Sequence, residues 1–121
     1  MPSLFEVTAG KLTGPTNGGS VTQATNKTTG VTLNTESGVI TMNNAALGAA
    51  GEATFEVTND KVAAADIPFV AIASGGTAGS YLVGVSAVAA GSFKITVTNV
   101  SGGSLSEAVV INFGIFKGSA S

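Results

Sequence analysis

Apolar and polar positions alternate along most of this chain, and Gly-, Ser- and Asn-rich corners interrupt them at intervals. Ala53, Phe55 and Val57 alternate with Thr54, Glu56 and Thr58, the period-2 pattern of a strand buried on one face. Phe93, Ile95 and Val97 do the same against Lys94, Thr96 and Thr98. Each of these strands opens a larger unit. Phe55-Glu-Val-Thr-Asn59 leads, after a short loop, into Pro68-Phe-Val-Ala-Ile-Ala73. Forty residues later Ile95-Thr-Val-Thr-Asn99 leads into Ala108-Val-Val-Ile-Asn-Phe113. In both units a half-buried strand is followed by a polar corner and then by a strand apolar on both sides. Two such units predict an all-β fold, an antiparallel β-sandwich or jelly-roll of about eight or nine strands.

The remaining strands fit between breakers. Ser20–Thr25, Thr29–Asn34 and Ser37–Asn43 are short strands bounded by Gly and Asn. Asn43–Ala50 is a single helical turn or an Ala-rich crossing, too short for a helix that stands alone. Ile67–Ser74 is apolar on both faces, as expected of a central strand, although Pro68 has no amide donor and belongs at a strand start or an edge. Ser74–Ser80 is expected to be a hairpin loop into Tyr81–Val88, and the last strand spans Glu107–Phe116. At the N-terminus, Ser3–Thr8 alternates as a first strand. Gly10–Ser20 carries four glycines before Ser20 and little to bury. The expected division is an arm, residues 1–17, and a sandwich domain, residues 18–121.

Composition narrows what such a domain does. Charged residues make up 10% of the 121, against about 25% in ordinary soluble domains. The net charge is −2, there is no Arg, and the five lysines are scattered, so a nucleic-acid partner is not expected. No stretch approaches the roughly 20 apolar residues of a spanning helix, and Met1–Glu6 lacks the basic start and apolar core of a signal peptide. A membrane partner is likewise not expected. Outward positions rich in Thr, Ser, Asn, Gly and Ala leave area that another protein covers without stripping water from ions. That favours a homo-oligomer or a docked subunit.

Catalytic chemistry has little to work with. Absence of His and Cys removes the common nucleophile–base pairs and soft-metal ligand sets. The carboxylates Glu36, Glu52, Glu56, Asp60, Asp66 and Glu107 read as solvated surface groups. Asn59, Asp60 and Asp66 lack the dense spacing of a calcium loop. Gly75–Gly79 lacks the Gly-Lys-Ser/Thr of a phosphate loop. No enzyme activity, cofactor or metal is expected.

Several phrases carry a resemblance: Gly18–Asn34 (GGSVTQATNKTTGVTLN), Ser37–Leu47 (SGVITMNNAAL), Ile72–Tyr81 (IASGGTAGSY), Ala90–Phe93 and Ser104–Phe113. Together they resemble small β-rich proteins and terminal modules of tailed bacteriophages and prophages. The resemblance implies a virion component, made in the host cytoplasm, and carries over no catalytic residues. The expected function is a capsid decoration (cement) protein on the capsid surface. It is expected to be a homotrimer seated where copies of the major capsid protein meet. The expected contact residues are Leu4, Phe5, Val7 and Leu12 of the arm, with Tyr81. The alternative is a receptor-binding knob of a tail or head fibre that presents its loops to host glycan.

Overall fold

The computed structural model describes residues 18–118, together with the backbone of residues 6–8 and 11–13. Ten strands follow in chain order, with no helix among the described residues: β1 (Glu6–Thr8), β2 (Lys11–Thr13), β3 (Ser20–Thr22), β4 (Val31–Thr32), β5 (Ser37–Thr41), β6 (Glu52–Thr58), β7 (Ile67–Ser74), β8 (Tyr81–Ala89), β9 (Ser92–Asn99) and β10 (Val110–Phe116). Eight of them form two four-stranded sheets, ordered β3-β5-β10-β7 and β4-β6-β9-β8, which pack face to face as a β-sandwich. β1 and β2 pair only with each other. A strand at Lys11–Thr13 was not expected in that breaker-rich stretch. The sheets are also not purely antiparallel, because β3 pairs parallel to β5 and β4 parallel to β6. Asn43–Ala50 is an irregular crossing, anchored by reciprocal main-chain bonds between Leu47 and Leu105 of 2.8 and 3.0 Å.

Alternation produces the core directly. Ala53, Phe55 and Val57 from β6 and Phe93, Ile95 and Val97 from β9 face Ile40, Ile111, Phe113 and Ile115 of the other sheet, with Met42 and Val109 just beyond its strand ends, all buried. Phe93 and Phe113 meet across the two sheets with ring centroids 5.5 Å apart. The Phe113 ring needs the space above Gly38, where an added Cβ would lie 2.8 Å from the ring and 2.7 Å from Leu33.

The two units forty residues apart are related by a local two-fold axis. Phe55 stands directly opposite its counterpart Ile95 in the β6–β9 ladder. Asn59 N–H donates to Gly91 O at 2.9 Å, and Asn99 N–H donates to Gly51 O at 2.8 Å. The amides of Lys61 and Ser101 then bond the side-chain oxygens of Asn59 and Asn99. In the other sheet, Ala71 pairs with Asn112 and Ile72 with Ile111, so the same symmetry runs through β7 and β10. The edge strands do not follow it.

One expectation fails informatively. Ile67–Ser74, apolar on both faces, is not central: among the described residues β7 is an edge strand with β10 as its sole ladder neighbour. Residues 75–80 are therefore no hairpin loop, since they carry the chain from β7 in one sheet to β8 in the other. β10 holds the central place, and Pro68 at the start of an edge strand satisfies its missing donor.

Candidate functional site

The acidic residues are dispersed. Glu52 and Glu56 stand on the outer face of the second sheet, Glu56 opposite Lys94. Asp60 lies 3.9 Å from Lys61. No group of three or more Asp or Glu residues gathers among the described residues. Of the calcium candidates, Asn59 is buried and turned toward Thr35 O and Lys61 N. Asp66 is committed elsewhere.

Asp66 is buried beneath the end of β10. It accepts from the Lys117 ammonium and from the amides of Ala63 (2.8 Å) and Gly118 (2.9 Å). Burial alone would raise its pKa, but Lys117 and the two amides outweigh it and hold the carboxyl below its ordinary value. Glu107 binds Thr77 N–H at 3.0 Å, the Thr77 hydroxyl at 2.9 Å and the Tyr81 hydroxyl at 2.8 Å, and these donors hold it low as well. Tyr81 itself is pushed up to about 12, by burial and then by Glu107. Tyr81 thus spends its ring on the core and its hydroxyl on tethering the 75–80 loop.

Both carboxyls bind protons more readily in the unfolded chain. Their stabilisation is therefore complete above the unfolded carboxylate range, about pH 4, and is lost as pH falls through the lower folded values. Tyr81 acts at the other end: its stabilisation is complete below about pH 10 and lost as pH rises toward 12. The expected result is a calorimetric Tm that drops on acidification. Asp66→Asn and Glu107→Gln should each make the acid limb shallower. An unchanged acid limb in both variants would refute this assignment.

One side of the sandwich is plugged. β3 and β4 are edges of only three and two residues, and the segment between them turns inward. Gln23 is buried, donating to Lys27 O and Thr29 O and accepting from Asn43 N–H. Lys27, 4% exposed, donates its ammonium to the main-chain carbonyls of Asn43 and Glu107. Burial lowers its pKa, partly offset by the Glu107 charge. Alternation gave no sign of this plug, because both residues lie in a polar run and the carbonyls that hold Lys27 are far along the chain.

The opposite side is open. Its walls are β7 and β8, edges of eight and nine residues, and no charged residue occurs from Ile67 to Phe93. Edge strands are ordinarily short, charged, bulged or covered, since their free N–H and C=O groups recruit other strands. β8 carries a bulge near Ser86, whereas β7 is regular from Ile67 to Ile72 and its edge is blunted only by Pro68. Ile67 is 62% exposed, Leu82 64% and Phe69 42%. Phe69 lies over Gly114, where a Cβ would come within 2.6 Å of its ring, and it contacts Phe116 with centroids 4.7 Å apart. The phenylalanines therefore divide: Phe55, Phe93 and Phe113 are core, while Phe69 and Phe116 are exposed. By contrast, the outer face of the second sheet is polar, with Thr54, Thr96 and Ser86 joined by hydroxyl bonds across three strands.

Of the residues expected to make contacts, Leu4 and Phe5 lie outside the described residues. Val7 and Leu12 stand opposite each other in the β1–β2 hairpin, whose ladder joins neither sandwich sheet. Tyr81 is on β8. The surface that does stand out, β7 with its outward Ile67, Phe69 and Ala71, was hidden behind the expectation of a central strand. Comparison of the chain with protein-family models, curated proteins and solved structures finds no match, so the open β7–β8 side is the feature on which a functional reading rests.

Proposed function

We propose that this chain is a structural subunit of a phage virion, a capsid decoration protein that docks where capsid subunits meet. The observation that carries the docking is β7, a strand apolar on both faces that its own fold leaves at an edge. Such a strand has the composition of one covered on both sides, and no described strand of the same chain pairs with its outer edge. The mechanism is mechanical. Apolar area buried across a junction contributes about 25 cal/mol per Å2 before the costs of association, and many copies together raise the resistance of the shell. The virion context comes from the resemblance of the Gly18–Asn34, Ser37–Leu47, Ile72–Tyr81 and Ser104–Phe113 phrases.

A second reading, a glycan-binding knob, draws on the exposed Phe69–Phe116 pair, which shares its sheet face with Asn112. That pair stands on strands rather than on loops, which favours docking to protein. Immunogold labelling of intact virions with an antibody against this chain separates the two. Gold spread over the head is the expected result, and gold at the tail tip would support the knob. Unlabelled virions would overturn the virion assignment.

A further inference from the structure

We infer that the free edge of β7 pairs antiparallel with β7 of a second copy about a two-fold axis at Val70. The inference deepens the assembly reading above, on which it rests, by naming the partner at that edge. Its first support is the direction of the main chain. Ile115 N–H donates to Glu36 O, toward β5, so Asn112, Gly114 and Phe116 are the β10 residues that bond β7 through Ala71, Phe69 and Ile67. Pro68, Val70 and Ile72 therefore present their main-chain groups to the open edge. With Val70 facing Val70, each copy donates from Val70 N–H to Val70 O. Pro68 has no N–H, and its ring points toward Ile72 O of the other copy, so the strands spread at both ends and the two Val70 bonds hold the centre. The paired stretch, Pro68–Ile72, is the regular part of β7 and ends before its bulge.

The side chains match in the same register. Phe69 of one copy falls beside Ala71 of the other on the outer face, a large residue against a small one. On the inner face Val70 meets Val70 and Pro68 meets Ile72, so every contact is apolar. Because the open side carries no charge from Ile67 to Phe93, a copy facing itself brings no like charges together. Extent agrees as well. Strands of eight and nine residues run about 27–30 Å, and two sheets about 10 Å apart with their outer side chains are roughly 20 Å thick. The side thus offers on the order of 600 Å2 per copy, near the roughly 800 Å2 per partner of a standard interface. An isologous contact closes with two copies, so the unit is a pair rather than the expected three. Pairing also joins the first sheets into one of eight strands and sets both Phe69–Phe116 patches on one face.

Sedimentation of the full chain from micromolar to millimolar concentration tests this. The chain is expected to dimerise, and Ala71→Lys, an exposed position that the monomer tolerates, should weaken the dimer about 100-fold. Thr58→Lys, exposed on β6 away from this side, should leave association unchanged. Register is read by cross-linking, since the chain contains no cysteine. Val70→Cys should form a disulfide-linked dimer on oxidation. Ile72→Cys should not, because its two copies lie about 13 Å apart in this register, beyond disulfide reach. A chain monomeric up to millimolar concentration would overturn the pairing. So would dissociation by Thr58→Lys alone, or equal cross-linking at positions 70 and 72. Virion labelling is read separately, so a monomer that still labels virions overturns the pairing and leaves the virion assignment standing.

Discussion

Phe93→Ala is expected to lower the unfolding free energy by about 3–5 kcal/mol, a large share of the roughly 5–15 kcal/mol available to a domain. Phe93 is almost fully buried and is the contact through which β9 reaches Phe113 on β10. Removing the ring leaves a cavity between two hydrogen-bonded layers. Neither layer can move in to fill it, because β9 is held by β6 and β8 and β10 by β5 and β7. Urea unfolding followed by circular dichroism should show a lower midpoint at unchanged slope. A loss below about 1.5 kcal/mol would mean that the core relaxes into the space, contrary to this account.

Asn99→Ala should cost about 2–4 kcal/mol, more than the same change at Asn59. The two asparagines are counterparts under the local two-fold axis, both fully buried, but they serve unequal numbers of partners. Asn99 donates to Leu47 O and Gly103 O and accepts from the amide and hydroxyl of Ser101. Asn59 donates to Thr35 O and accepts from Lys61 N–H. Truncation removes four such bonds at Asn99 and two at Asn59, and the cost follows their number. The two single variants, unfolded under identical conditions, give the comparison. Equal losses would show that the asparagines act through turn conformation alone.

Much of the sandwich was legible because one-sided burial writes itself as alternation. β6 begins and ends where Glu52–Thr58 alternates, and the paired units at Phe55 and Ile95 turned out to be ladder partners. Strand direction was not legible. Period 2 is the same for a parallel and an antiparallel neighbour, so the parallel β3–β5 and β4–β6 pairings left no trace. Lys27 was illegible for another reason, since its burial depends on carbonyls 16 and 80 residues away. The misplacement of β7 is the most useful failure. An apolar residue records that it is covered, but it does not record whether the cover belongs to the same molecule. The exposed Phe69 and Ile67 were hidden by the rule that usually finds the core.

The local two-fold axis also governs how this chain folds in time. Each unit contributes one strand to each sheet, so neither half can close a sheet alone, and every central ladder waits for strands from distant parts of the chain. Folds built this way take on the order of milliseconds to seconds, an interval in which β7 is unpaired and carries no charge to keep other chains away. Asp66 and Lys94 stand immediately before and after that uncharged tract, where flanking charges act as gatekeepers against premature association. In the finished fold Asp66 is drawn inside and bonded to Lys117, so this guard is withdrawn from solvent once the chain has folded.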